Sequence, residues 1–292
     1  MTSLRSWVLG ARPRTLSAAV TPVMVGTAIA SMEAPVLWWR AGAALVVALA
    51  LQVGVNYAND YSDGVRGTDD QRVGPMRLTA TGLATPLAVR RAAAGAFMAA
   101  AIAGSVLAIV VDLRLLILGI AAVLAAATYT GGPRPYGYSG YGELGVLVFF
   151  GFAATLGSVY VQHRSIPGIA WWASLAVGLP SCALLLANNI RDIETDRRVE
   201  KHTLAVRLGD VFARRIYVAA VLGAFAAIIP IVMIGRSTPT ALWGFVAAPL
   251  AIPPIRKVVM TSDVESLVGA LSDTARMGFV LGIALAVGIA WA

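Results

Sequence analysis

Two stretches of the chain carry oxygen-bearing side chains at spacings suited to chemistry. The first holds Asn56, Asn59, Asp60 and Asp63, followed by Asp69 and Asp70; the second holds Asn188, Asn189, Asp192, Glu194 and Asp196. With Glu200 and Asp210 they account for nine of the fifteen acidic residues. On a continuous helix Asn56/Asp60 and Asn59/Asp63 are i,i+4 pairs, and Asn188, Asp192 and Asp196 stack at i, i+4 and i+8. Each window therefore predicts a column of oxygen ligands on one helix face. Like charges at this spacing repel, so something positive belongs between them. Arginine and lysine neighbours would serve. Clustered carboxylate and amide oxygens suit a hard divalent cation better, and Mg²⁺ is commonly shared between one or two carboxylates and substrate phosphates. Arg66, Arg77, Arg191, Arg198 and Lys201 flank the windows and are suited to donate to such phosphates.

The elements that position these columns follow from composition. The 292 residues are 58% apolar and only 13% charged, with a mean hydropathy of +0.77. A soluble domain runs at about 45–50% apolar and about 25% charged. A soluble enzyme, a disordered chain, a coiled coil and a disulfide scaffold are excluded, and the long apolar runs exclude a barrel. One cysteine, Cys182, rules out an internal disulfide and a multi-cysteine metal site. A span needs about 20 apolar residues, which predicts an all-α polytopic membrane protein with about nine transmembrane helices. They fall at 15–32, 38–58, 88–111, 113–130, 142–161, 169–189, 214–235, 239–255 and 276–292. The first apolar run reads as the first span rather than as a cleavable leader. Of 23 lysines and arginines, 19 lie in the N-terminal segment and in the loops after even-numbered spans. The positive-inside rule then puts the N-terminus and both acidic windows in the cytoplasm, with the chain in the cytoplasmic (inner) membrane. The net charge of +8 faces anionic membrane lipid; scattered among spans, it does not describe a nucleic-acid surface.

Two other chemistries compete at this level. An ion-coupled transporter also aligns acids, but near the membrane midplane and between broken spans; here the acids sit at one interface beside arginines. Phosphotransfer from a nucleotide-linked alcohol is faintly suggested by Asp63-Gly64-Val65-Arg66, yet that signature is one compact aspartate run, and here the second set is far along the chain.

Asn59…Asp63 and Asp192…Asp196 resemble the two aspartate motifs of the UbiA superfamily of intramembrane prenyltransferases. Ala11–Leu16, Asn59–Asp63 with Gly67-Thr-Asp69, Arg72–Arg77, Tyr129–Pro133 and Lys201–Gly209 are similar to its naphthoate branch. The resemblance runs from residue 7 to about 210 and thins beyond. It implies one prenyltransferase domain over 1–292, with nine helices around a cavity open to the cytoplasmic side. It further implies Mg²⁺-dependent transfer from a polyprenyl diphosphate to 1,4-dihydroxy-2-naphthoate with decarboxylation, giving demethylmenaquinol. Another aromatic quinone precursor is the alternative acceptor. The implied metal ligands are Asn59, Asp63, Asp69, Asn188, Asp192 and Asp196. The third ligand of the first motif is open among Asp60, Asp69 and Asp70, because Gly67 stands where the superfamily commonly has an aspartate. Asp60, Asp63, Asp192, Asp196 and Lys201 are the implied catalytic set; Arg66, Arg77, Arg191 and Lys201 would hold diphosphate. Arg14, Tyr129, Arg134 and Tyr138 are candidates for the acceptor, and Glu143 is a further site acid.

Overall fold

A computed structural model describes residues 2–67, 76–234 and 239–292, and the described residues form helices and no strand. A short helix α1 (Leu4–Gly10) precedes α2 (Ser17–Ser31), α3 (Trp38–Arg66), α4 (Pro86–Val110) and α5 (Leu115–Thr128). Then come α6 (Gly142–His163), α7 (Gly168–Arg191), two short loop helices α8 (Ile193–Arg198) and α9 (Leu204–Leu208), and α10 (Asp210–Ile234), α11 (Pro239–Met260) and α12 (Val264–Ala290). The ends follow local rules. Gly67, at φ 72, closes α3 in the left-handed region. Thr85 caps α4 by accepting from the Ala88 N–H, with Pro86 at the first helical position. Asp263 accepts from the Ser266 N–H to start α12.

Seven of these helices are long and apolar enough to cross a membrane: α3, α4, α6, α7, α10, α11 and α12. Every expected span overlaps an apolar helix, but α2 and α5, at 15 and 14 residues, fall short of the full span length predicted for them. The last span begins at Val264, well before the expected 276, because its polar first turns are satisfied in place. Lys257 pairs with Asp273 at 2.7 Å and Arg14 donates to Ser272 at 3.0 Å.

Without a hydrophobic drive between helices in lipid, close packing rests on small residues. A Cβ on Gly178 of α7 would lie 2.7 Å from the Gly151 Cα of α6, and one on Gly26 of α2 would lie 2.6 Å from the Thr155 carbonyl oxygen. α7 is the most buried of the long helices. Outward side chains such as Met98, Ile102, Ile109 and Ile117 stay exposed, as lipid-facing positions should. Helices α2 to α7, the start of α12 and the N-terminal arm line a cavity of about 920 Å³. Its walls are mostly apolar, with Val47, Leu51, Leu118 and Phe149 among them. Where α3 and α7 end, it turns polar with Asn56, Asn59, Asp63, Asn188 and Lys201.

Candidate active site

The polar end is built first from α3. Gln52 and Asn56 donate to the Thr15 hydroxyl at 3.0 and 3.1 Å, and Asn56 also donates to the Ala11 carbonyl at 2.8 Å. Together they tie the N-terminal arm across the cavity. One turn on, Asn59 accepts from the Thr130 hydroxyl at 2.7 Å. Asp63, 3% exposed, accepts from the Tyr138 hydroxyl at 2.6 Å and faces the Arg77 guanidinium at 3.6 Å. Asn56, Asn59, Asp63 and Arg77 all line the cavity.

Asp60 does not join them, contrary to its expected catalytic place. Successive helical residues are about 100° apart, so Asn59 and Asp60 mark opposite edges of the same arc. Asp60 turns to the outer edge, where its two oxygens accept from the Leu78 and Thr79 N–H groups at 2.7 and 2.8 Å. That makes it a clasp for the segment that carries Leu78 and Thr79. Asp69, expected as a ligand, lies outside the described residues.

The second column is interrupted. α7 ends at Arg191, and Asp192 (φ −96, ψ 6) starts the separate α8. Asn188 and Asn189 therefore line the cavity, whereas Asp192 and Asp196 do not contribute to its wall. Asp192 is gripped by Arg191 through Nε and a terminal nitrogen, both at 2.6 Å, and Arg191 also donates to Asn188 at 3.0 Å. Lys201, which does line the cavity, reaches Asp196 at 3.4 Å. Its backbone N–H also bonds the Asp196 carbonyl at 2.9 Å, a turn closed by Glu200 in the left-handed region at φ 54.

Tyr138 joins the two windows. Its hydroxyl holds Asp63, while its ring has the Lys201 ammonium at 5.1 Å and the Arg66 guanidinium at 5.3 Å from the centroid. Arg66, expected on a diphosphate, instead fastens the loop that carries this tyrosine. It donates to the Thr130 and Gly132 carbonyls at 2.8 and 2.5 Å and does not line the cavity. Arg134 and Arg198 are exposed and also off the cavity wall, so Arg134 is not placed to hold an acceptor there. Arg14, Tyr129 and Tyr138 do line it. Burial pushes the Tyr136 hydroxyl, in the same loop, up to about 12.

Sequence reasoning passed over Asn189 and the contact that holds it. Its side-chain N–H₂ donates to the buried Glu143 carboxyl at 2.8 Å. The only signal was its place beside Asn188, and the 188/192/196 spacing drew attention elsewhere. Among the described residues no three carboxylate, histidine or cysteine side chains gather around one point where an ion would sit. The oxygens at the polar end nonetheless suit a hard cation that takes one or two protein carboxylates and completes its shell from phosphate and water. The fit is chemical: a buried carboxylate, Asp63, and the amides of Asn56, Asn59 and Asn188 share one cavity mouth.

The sequence model of the UbiA prenyltransferase family matches residues 19–268. The chain is 45% identical to a 1,4-dihydroxy-2-naphthoate octaprenyltransferase of Mycobacterium tuberculosis, covering 100% of this chain and 99% of that one. It is 37% identical to the protein of the same name from Escherichia coli over 96% of each. A solved structure of a UbiA homolog from Archaeoglobus fulgidus bound to DMAPP and Mg²⁺ superimposes with a TM-score of 0.63. It is 13% identical, and the match covers 97% of this chain and 99% of that one.

Proposed function

The chain belongs to the UbiA prenyltransferase family, and from that premise we propose that it moves a polyprenyl group from polyprenyl diphosphate onto 1,4-dihydroxy-2-naphthoate with loss of carbon dioxide. The observation that carries this reading is the two-sided character of one cavity. A diphosphate needs the cations and carboxylates at the ends of α3 and α7, and an isoprenoid tail needs the apolar walls above them; about 920 Å³ offers both. The names of the full-length relatives support the choice of acceptor.

Mg²⁺, when bound, would supply Lewis-acid charge to the departing diphosphate. Asp63, with Asn59, Asn188 and the nearby Asp192 and Asp196, would hold it. Lys201 and Arg77 line the same end and set positive charge against the diphosphate oxygens. Loss of diphosphate leaves an allylic cation, which water would capture in an open site; the apolar walls keep water out. The rings of Tyr129, Tyr136 and Tyr138 line the cavity and offer π faces to that cation. Arg14, with donors beyond its bond to Ser272, pairs with the carboxylate of the acceptor. The reading takes 1–292 as one domain in the cytoplasmic membrane, with the N-terminus and the polar end of the cavity in the cytoplasm.

The test is direct. Membranes containing the protein, given dihydroxynaphthoate, radiolabelled polyprenyl diphosphate and Mg²⁺, should yield a decarboxylated prenyl lipid. No such product would overturn the assignment, and product formed in excess chelator would overturn its metal dependence.

A further inference from the structure

Glu143 and Asn189 form a buried pair that diphosphate chemistry does not use. Glu143 opens α6 at 9% exposure, and its Oε1 accepts from Asn189 Nδ2 at 2.8 Å. Its Oε2 is buried with no hydrogen-bond partner, and among the described residues no cation pairs with it. A carboxylate oxygen accepts and an amide nitrogen donates, so this contact fixes which way the amide points. Nδ2 faces Glu143, and the carbonyl oxygen is left to the cavity that Asn189 lines. No protein donor reaches that oxygen among the described residues.

Its surroundings narrow the occupant. Tyr129 and Tyr136 line the same cavity and pack edge to face, with centroids 5.4 Å apart. Glycines make room for both rings at the start of the helix that carries Glu143. A Cβ on Gly137 would lie 2.9 Å from the Tyr129 ring, and one on Gly145 would lie 2.8 Å from the Tyr136 ring. An aromatic corner beside a lone acceptor oxygen, with a carboxyl behind it, repels a diphosphate and gives nothing to an isoprenoid tail. It suits a flat aromatic molecule that brings a hydrogen-bond donor.

We infer that Asn189 binds a ring hydroxyl of the aromatic acceptor through its side-chain oxygen, and that Glu143 is the positioning residue that aims it. This rests on the acceptor reading given above. The chemistry gives the contact a purpose. As an electron pair of the ring forms the new bond to the prenyl carbon, the carbon–oxygen bond to diphosphate breaks. Positive charge then reaches the neighbouring hydroxyl oxygen, which keeps its proton. When the bond to the carboxylate carbon breaks, its electron pair returns to the ring, carbon dioxide leaves and the neutral diol is restored. No proton has to depart, so what helps is an acceptor that holds the hydroxyl as it becomes more acidic.

Purified enzyme would be titrated with 1,4-dihydroxy-2-naphthoate, with 2-naphthoate, which lacks both hydroxyls, and with polyprenyl diphosphate. The wild type should prefer the hydroxylated naphthoate by about 10-fold or more, the size of one well-made hydrogen bond in a buried site. Asn189→Leu should erase most of that preference while polyprenyl-diphosphate binding stays intact, which also shows that the variant is folded. Glu143→Leu should act in the same direction. Glu143→Gln, whose side-chain oxygen still accepts from Asn189, should restore it. The inference falls if Asn189→Leu keeps the hydroxyl preference, if it weakens the diphosphate as much as the naphthoate, or if Glu143→Leu and Glu143→Gln behave alike. If the wild type binds neither naphthoate, the acceptor reading fails first and takes this inference with it, and that result is seen before any variant is made.

Discussion

Replacing Tyr138 tests whether the two acidic windows act as one site. Its hydroxyl donates to a buried carboxylate at 2.6 Å, and its ring lies beneath two cations at 5.1 and 5.3 Å. A hydrogen bond to a charged group contributes about 1.5–3 kcal/mol, or about 10- to 150-fold in a rate or binding constant. Each cation–π contact adds about 0.5–1 kcal/mol, so the two together amount to about 5- to 30-fold. Tyr138→Phe keeps the ring and loses the hydroxyl's hold on Asp63; kcat/KM for polyprenyl diphosphate should fall by about the first factor. Tyr138→Leu loses both and should fall by a further amount near the second. The measurement is steady-state turnover of purified enzyme with the diphosphate varied, and thermal unfolding in the same detergent separates a site defect from a folding defect. A Tyr138→Phe enzyme within twofold of wild type would refute the argument. So would equal losses in the Phe and Leu variants, because then the ring would not bridge Lys201 to Asp63.

Asp60 and Asp63 should separate cleanly. Asp60→Ala strands two backbone N–H groups at about 1–3 kcal/mol each and should lower the unfolding midpoint without abolishing turnover by the folded enzyme. Asp63→Ala, which also takes a partner from Arg77 and Tyr138, should instead cost orders of magnitude in turnover at temperatures where the variant is still folded. Lys201→Ala should raise KM for polyprenyl diphosphate and spare that for the naphthoate in two-substrate kinetics; a defect confined to the naphthoate would reverse the placement of the two substrates. Cysteines at the exposed Val65 and Glu194, in a Cys182→Ser background, should react only with reagent admitted to the cytoplasm, and labelling of intact cells from outside would overturn the orientation.

Long apolar runs and the two polar windows were legible because both are local: a lipid-facing helix has to be apolar over its length, and a column of ligands has to repeat near 3.6 residues. What local pattern leaves open is rotational phase. The arc holding Asn59, Asp63, Asn56 and Asp60 is about 100° wide, and its edge residue can face the cavity or a neighbouring segment. Asp60 went to the Leu78 and Thr79 amides, a choice made by a chain segment that the helix pattern does not describe. In the second window neither glycine nor proline marks the interruption at Asp192, so the 188/192/196 column read as continuous. Tyr138, Glu143 and Asn189 depend on contacts between segments far apart in sequence; only the residue types, not the pairings, were visible.

Charge balance explains why the windows look as they do without a ligand. Asp63 faces Arg77, Asp192 is held by Arg191, and Asp196 by Lys201, so each of these buried carboxylates has its own cation. Burying an unpaired charge is costly, and these pairings let the polar end form beside an apolar cavity. A diphosphate arriving alone would upset the balance, because Arg77 and Lys201 cannot neutralise its oxygens and their own aspartates fully at once. Divalent positive charge arriving with the anion would resolve the conflict, since it would satisfy the carboxylates and free the lysine and arginine for phosphate. On the proposed function, the acidic columns and the basic residues beside them are two halves of one requirement: three buried carboxylates matched by three cations, a balance that a diphosphate would keep best by loading with a divalent cation.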